Sequence, residues 1–501
     1  MPLPRTRTPH LLAAVDLGSN SFRLLIGRVD ETISGRQVYP LDSLKETVRL
    51  ASGLTKEKRL DADSQLRALA VLQRFGERLR SFAPDCVRAV ATNTLRVAKN
   101  AREFLQTAEA ALGFPIEVIA GREEARLIYC GVANTFPPQP GQMLVVDIGG
   151  GSTEFIIGRG QDPVLMESLF MGCVGYSLQF FPGGEIDRYT LKQAELAAQK
   201  EIEGIARDYI ASGWQRAVGS SGTAKALEEI MVANGLSEGG ITLEGLDKLR
   251  DILLRAGNAQ RVRLEALRPD RVPVLPGGFA IMAAVFSVLG IERMEVSDGA
   301  LRQGVLYDLL GRVEHHDTRD LTIEQFTQRY GIDRAQAERV ARLARQLFDT
   351  AATGSDEERE EAGQRLSWAA ALHEIGLSIA HSSYHKHSAY IVSNADMPGF
   401  SRMDQAKMAA LVLGHSGKVS KMPGKVTDDN DWLALFCLRI AVLIYRRRSD
   451  SPPPAMELEV KGRGYRLRVD AAWLAAHPLT DFGLRQECQE WSKVGVAVEL
   501  V

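Results

Sequence analysis

The chain has 501 residues, 45% of them hydrophobic and 25% charged, which sets a prior of roughly three domains and describes an ordinary folded protein. Lys and Arg total 61 against 63 Asp and Glu, so the formal net charge of −2 excludes the whole-protein basic field that grips nucleic acid. The amino terminus reads as a first strand rather than a signal peptide, no apolar run approaches the ~20 residues of a bilayer span, and five scattered cysteines without a CxxC exclude a disulfide scaffold or zinc ribbon, so the chain is expected in the cytoplasm without membrane insertion.

The first predicted element is a strand over LLAAV that ends in DLGSNSFRLLIGR, Asp16 to Arg28. Asp63 to Phe82 is an amphipathic helical pattern, Val87 to Thr92 a strand, Val97 to Leu112 a helix, and Ile116 to Ile119 a short strand that runs into the helix-like AGREEARLIY. A Pro-rich stretch, Phe136 to Gly141, marks a junction. Then the opening pattern returns: MLVV leads into DIGGGSTEFIIGR, Asp147 to Arg159, where Asp, Gly, Ser, Ile, Gly and Arg recur at the offsets they had in the first copy. Two strand–loop–strand copies predict two duplicated α/β lobes, each presenting a small-residue loop at a strand end. Thr190 to Ile210 is helical, Arg216 to Val218 leads into GSSGT and a further helix, and Met294 to Gly311 reads as strand, turn and closing helix. Beyond about Asp317 helices dominate: Ile323 to Tyr330, Arg334 to Ala352, Glu357 to His373 and Gln405 to Leu413. RRRSDSPPPA, Arg446 to Ala455, reads as a linker, and strict alternation around KGRG predicts a hairpin over Met456 to Asp470. The expected boundaries are therefore 1–137 and 138–312 for the lobes, 313–447 for a helical module and 448–501 for a small α+β tail.

Loops of small residues turn several backbone N–H groups toward one point, a geometry that phosphate oxygens satisfy. Three occur, at Gly18 to Ser21, Gly149 to Thr153 and Gly219 to Thr223, and the third opens a helix whose dipole adds positive potential. No GxxxxGK[ST] or GxGxxG pattern is present, which excludes a P-loop NTPase and a dinucleotide-binding dehydrogenase. Asp16 and Asp147 open the two repeated loops at matching positions and suit Mg²⁺, which takes one or two carboxylates and keeps several waters. Glu154 stands where the first copy has Arg23, the kind of departure that follows when one lobe specialises. Glu123 and Glu124 both fall in the first turn of the helix after Ala120, where either could cap the dipole or act as a general base; their positions alone do not choose between them.

Taken together, AAVDLGSNSFRLLIG, ATNTLR, VIAGREEARLIYCGV, VVDIGGGSTEFIIG, ESLFMGCVGYSLQFFPGG, AVGSSGTAKA and VSDGALRQGVLYDLL resemble the motifs of the exopolyphosphatase / guanosine pentaphosphate phosphohydrolase (Ppx/GppA) family. The resemblance runs on through Ala370 to Phe400, which is similar to the long, enterobacterial-type exopolyphosphatases. It implies an α/β fold of two ribonuclease-H-like lobes of the actin, Hsp70 and sugar kinase superfamily, followed by an all-α HD-like module and a small α+β tail. It implies an Mg²⁺-dependent homodimeric hydrolase that releases terminal phosphate processively from inorganic polyphosphate. The sister activity is conversion of guanosine pentaphosphate (pppGpp) to ppGpp, and a third reading is a non-hydrolytic sensor of either ligand. By resemblance Glu124 is the catalytic base, and Asp16, Asp147 and Glu154 belong to the metal. Phosphate falls to Gly18, Ser19, Asn20 and Ser21, to Arg96, to Gly149, Gly150, Gly151, Ser152 and Thr153, and to Ser221, Gly222 and Thr223.

The helical module departs from an active HD hydrolase. His373 is followed by Glu374 instead of Asp, and no histidine between His316 and His373 supplies an upstream ligand, so neither metal binding nor hydrolysis is expected there. His381, His385 and His387 read as a polar, solvated loop or a polyphosphate-contacting surface rather than a metal site. A polyphosphate path is expected along Lys386, Lys418, Lys421, Lys425, Arg446 to Arg448, Arg463, Arg466 and Arg468, with Arg466 and Arg468 on one strand face opposite Tyr465, Leu467 and Val469.

Overall fold

The computed structural model describes residues 10–32, 35–136, 140–313 and 317–501. Residues 137–139 of the Pro-rich junction lie outside them. The chain divides into two units, Met1–Asp317 and Thr318–Val501.

In the first unit, strands β1 (Leu11–Leu17), β2 (Ser21–Thr32), β3 (Gly35–Thr47), β4 (Val87–Ala91) and β5 (Ile116–Val118) form a sheet of order β3-β2-β1-β4-β5. A second sheet follows from β6 (Gln142–Ile148), β7 (Thr153–Arg159), β8 (Asp162–Leu169), β9 (Arg216–Ser220), β10 (Ile241–Thr242) and β11 (Arg293–Val296), in the order β10-β11-β9-β6-β7-β8. Each sheet is an antiparallel meander of three strands continued by two parallel strands, and β10 closes the second antiparallel to β11. The likeness reaches single residues. Both meanders slip register at the repeated Ile-Gly, Ile26/Gly27 in one and Ile157/Gly158 in the other. A β-bulge there needs room, and a Cβ on Gly158 would sit 2.2 Å from the Tyr129 ring.

Helices α1 (Ala62–Leu79), α2 (Asn93–Val97) and α3 (Ala101–Leu112) accompany the first sheet, with α1 and α3 burying Leu72, Phe75 and Phe104 against it. The single helix predicted over Val97 to Leu112 is broken because Asn100 leaves the helix to clamp Leu60, accepting from its N–H at 2.8 Å and donating to its carbonyl at 3.1 Å. After α4 (Gly121–Ala133), the second half adds α5 (Cys173–Phe180), α6 (Arg188–Ser212), α7 (Ser221–Ala233), α8 (Leu243–Ala256) and α9 (Leu275–Leu289). The stretch Val272–Leu289, missed by the sequence pattern, is long and apolar enough to cross a membrane, yet 72% of it is buried, packed as the central helix of this half.

Helix α10 (Leu301–Val313), predicted to close the second lobe, packs instead on α4 and β1 of the first. Leu127, Ile128 and Val132 of α4 and Val305 and Leu309 of α10 share a core with Ala14 and Val90 of one sheet and Val145 and Ile156 of the other. The helices cross closely because Gly304 has no side chain: a Cβ there would meet the Leu127 carbonyl oxygen at 1.7 Å. The two sheets are thus joined through α4 and α10.

The second unit contains α11 (Thr318–Arg329), α12 (Arg334–Ala351), α13 (Asp356–Leu372), α14 (Tyr384–Asn394), α15 (Arg402–Gly414) and α16 (Asp429–Ile444). Then come β12 (Met456–Lys461), β13 (Gly464–Val469), α17 (Ala471–Ala476), α18 (Pro478–Ser492) and β14 (Val498–Leu500). The expected hairpin is present, and β14 adds a parallel third strand. The tail shares the helical core: Tyr465 and Trp491 stack around Phe436 of α16, with ring centroids 4.5 and 5.2 Å away. Tyr465, Leu467 and Val469 face that core, opposite Arg466 and Arg468.

Candidate active site

The repeated loops face each other across a cleft between the two sheets. The first loop is tied down by a neighbouring turn, since Ala51 donates to the Ser19 carbonyl at 2.9 Å and Arg49 to the Asn20 carbonyl at 2.8 Å. Thr94 donates to the Ser19 hydroxyl at 2.8 Å. The second loop closes on itself, with the Gly149 N–H donating to the Ser152 carbonyl at 2.9 Å, and carries the start of α5 on the carbonyls of Gly149 and Gly150. Gly151 is bare for a reason: a Cβ would come within 2.4 Å of the Asn93 amide, a residue of the opposite half. The third loop is stitched to the second, because Ser221 and Thr223 both donate to the Ile148 carbonyl, at 3.1 and 2.9 Å. Ser221 holds φ at +85°, a conformation that strains a residue with a Cβ and gathers at functional sites.

Asp16, Gly18 to Ser21, Asp147, Gly149 to Ser152 and Ser221 to Thr223 all line this cleft. Glu124 lines it too, from the first turn of α4. Three predicted residues stand off the wall. Arg96 reaches the site through Glu124, donating to its Oε2 at 3.3 Å and to the Ile119 carbonyl at 2.9 Å. Thr153 is fully buried and donates to the Met171 carbonyl at 2.6 Å, so its hydroxyl braces the strand and is turned away from phosphate. Glu154 is buried behind the loop, accepting from the Ser168 hydroxyl at 2.8 Å.

The cleft has an acidic side. Burial raises the pKa of Asp16, lifts Asp147 to about 6 and Glu124 to about 7, and pushes Glu154 well up, and mutual repulsion among these carboxylates adds to the rise in each except Asp16. Asp16 Oδ1 is buried without a hydrogen-bond partner. Among the described residues no group of three or more His, Cys, Asp or Glu is placed to hold a metal ion by itself; the unsatisfied Asp16 oxygen and the Asp147 carboxylate on the same cleft fit an ion such as Mg²⁺, which takes one or two carboxylates and keeps several waters.

The cleft is also lined by basic residues, which the motifs did not single out. Arg23, Arg271 and Arg302 line the cleft, with the Arg302 pKa held down to about 10 by burial and by Arg23. Burial likewise lowers Arg271, whose Nε is buried without a partner and whose guanidinium fills the space above Gly222. Arg271 has Asp270 3.9 Å away and Arg23 stands across the strand from Asp16, yet three guanidinium groups gathered in one pocket suit an anion. The signal was present: Arg302 lies within SDGALRQ, and Arg23 is the residue that replaces Glu154 in the repeat.

The second unit holds no comparable arrangement on its strands: Arg466 pairs with Glu499 at 2.7 Å, Arg468 with Glu457 at 3.1 Å, and Arg448 with Asp333 and Glu374 at 2.9 and 2.6 Å. These three belong to local ion pairs. The lysines at 386, 418, 421 and 425 and Arg446, Arg447 and Arg463 are exposed. His385 and His387 lie on α14, not in a loop, because Ala389, Ile391 and Val392 anchor that helix in the core. His373 is buried with its Nδ1 2.6 Å from the Ala370 carbonyl and its ring against His415.

Residues 26–313 match the Ppx/GppA phosphatase family and residues 318–488 match the Ppx/GppA phosphatase domain III. Two relatives, from Aeromonas hydrophila and Pseudoalteromonas atlantica, are named guanosine-5'-triphosphate,3'-diphosphate pyrophosphatase; they are 39% identical over 495 residues and 38% over 500, and each match covers 98% of this chain and 99% or 98% of the relative. Among solved structures, a Ppx/GppA enzyme of Aquifex aeolicus is 26% identical with a TM-score of 0.50, covering 59% of this chain and 98% of that one. An exopolyphosphatase of Cytophaga hutchinsonii, at 24% identity and TM-score 0.53, covers 60% and 98% and shares the fold. With its two actin-like sheet-and-helix halves and its helical C-terminal region, the chain belongs to the Ppx/GppA phosphatase family and is a hydrolase acting on phosphoanhydride bonds.

Proposed function

We propose that this protein removes the 5'-terminal phosphate of guanosine pentaphosphate, yielding ppGpp and orthophosphate. The observation that carries the chemistry is Glu124, buried on the cleft wall between two phosphate-type loops, with Arg96 on one carboxylate oxygen. The substrate follows from two relatives, alike over nearly their whole length, that are named for that nucleotide. This reverses the order in which sequence motifs alone rank the two activities.

The loop N–H groups bind the terminal phosphoryl oxygens, and Arg23, Arg271 and Arg302 bind the phosphates behind it. Glu124 accepts a proton from the attacking water; a pKa near 7 makes it a base that is ionised for a useful fraction of molecules and still holds the proton it gains. Arg96 fixes the carboxylate's direction. Asp147, Asp16 and Glu154 would hold Mg²⁺, which when bound supplies charge neutralisation to the transferring group. All five cysteines are free, in keeping with a reducing, cytoplasmic setting.

Polyphosphate hydrolysis is the second reading, favoured by the three-arginine row, which suits any chain of phosphates. The ion-paired Arg448, Arg466 and Arg468 weaken the long cationic path that processive digestion calls for. Phosphate release by the purified protein with Mg²⁺ decides: kcat/KM is expected to be higher for guanosine pentaphosphate than for long-chain polyphosphate. The reverse order would establish the second reading, and release from neither would sink both.

A further inference from the structure

Glu123 and Glu124 are adjacent in sequence and do opposite things. A helix turns 100° per residue, so when Glu124 faces the cleft Glu123 points into the joint between α4, α10 and the first sheet. There it meets a buried ion cluster. Arg126 grips Glu123 with two hydrogen bonds, both 2.8 Å. Arg126 also donates to Asp308 Oδ1. The other oxygen, Asp308 Oδ2, accepts from Arg88 at 2.7 Å and from Arg312 at 3.1 Å. Arg88 closes the ring on Glu117 at 2.9 Å and lies 3.7 Å from Glu123. Arg88, Arg126 and Arg312 balance Glu117, Glu123 and Asp308, three charges against three.

We propose that Asp308 is a positioning residue: through Arg126 and Glu123 it fixes the rotation of the first turn of α4, and so the place of the Glu124 carboxylate. This rests on reading Glu124 as the base. Charges taken out of water are costly even when paired, and apolar residues of like volume would join α4 to α10 at least as well. An ion cluster does what an apolar contact does not, because hydrogen-bond forks fix direction as well as distance. Asp308 is hydrogen-bonded to all three arginines. It also ties α10 to β4, so the turn that carries Glu124 is referenced to the sheet that carries the Asp16 loop. Small displacements of a base matter, since catalysis depends on a near-attack geometry.

The test uses the full-length protein and whichever substrate it turns over. Asp308→Asn is expected to lower kcat at least tenfold while KM stays within twofold, since the phosphate-binding loops and arginines are untouched. Adding Arg312→Gln restores charge balance and is expected to recover the melting temperature but not kcat, because Arg126 still lacks its charged anchor. Should Asp308→Asn fail to fold, Arg126→Lys keeps the charge and loses the fork on Glu123, with the same split expected in milder form. A folded Asp308→Asn with unchanged kcat overturns the proposal, and so does a double variant whose kcat returns along with its melting temperature. Glu124→Gln, run in parallel, keeps the two ideas apart: full turnover there overturns the base reading itself.

Discussion

The two halves of the first unit begin with the same hairpin and part at one cross-strand pair. In the first, Asp16 stands opposite Arg23; in the second, Asp147 stands opposite Glu154. Cross-strand partners project from the same face within about 5 Å, so the first half supplies an acid with a counter-charge on the neighbouring strand and the second supplies two acids with no such cross-strand counter-charge, although Arg23 also acts on Asp147. The register shift at Ile-Gly is common to both hairpins, and of the positions at which they differ this pair is the one that changes charge.

Glu124 lies where the two halves meet, and its loss carries the largest expected effect. Glu124→Gln keeps the shape and removes the proton acceptor, so kcat should fall by about 10²–10⁴-fold, the usual worth of a general base. Steady-state phosphate release measures it. A fall confined to KM would mean that Glu124 binds substrate and that the contrast between the hairpins has no shared base to serve.

A step smaller is the pair itself. Glu154→Gln is expected to raise the Mg²⁺ concentration for half-maximal rate and to cost about 10²-fold in turnover at low Mg²⁺, whereas Arg23→Gln should raise KM and leave the Mg²⁺ requirement alone. A Mg²⁺ titration of both variants reads the difference. Equal responses would erase the division of roles between the two hairpins.

How much of this was legible beforehand follows the same line. The repeat announced two similar sheets because strand alternation and loop glycines are local features. The structure brings Asp16, Asp147 and residues of all three loops around one cleft. Thr153 was misassigned because membership in a loop was inferred from composition; the first residue of a strand points by the pleat, and this one points inward. Arg271 was invisible because no pattern near it repeats; only the folded path of the segment leading into α9 brings it over Gly222. The choice between Glu123 and Glu124 was undecidable locally, since both sit in one helical turn and the deciding partners, Arg96 and Asp308, are 28 and 185 residues away in sequence. The tail was read as a separate domain because a linker-like composition precedes it, yet Phe436, Tyr465 and Trp491 share one core.

The smallest effect concerns stability, and it distinguishes the hairpins without any turnover. Asp147 has its pKa lifted to about 6 in the folded chain and Glu124 to about 7, while in the unfolded chain both return to ordinary carboxyl values. The folded state therefore binds more protons between those limits, and stability falls as pH rises through that window. In the presence of a chelator the melting temperature should drop from about pH 5 to about pH 8, and Mg²⁺ should restore more of it at the upper end, where the carboxylates are charged. Asp147→Asn removes an acid with no cross-strand counter-charge and should flatten the slope. Asp16→Asn removes one whose rise both Arg23 and Arg302 oppose and should flatten it less. Thermal melts of the two variants across that pH range, with and without Mg²⁺, make the comparison, and equal slopes would show that the exchange of Arg23 for Glu154 left the energetics of the two halves alike.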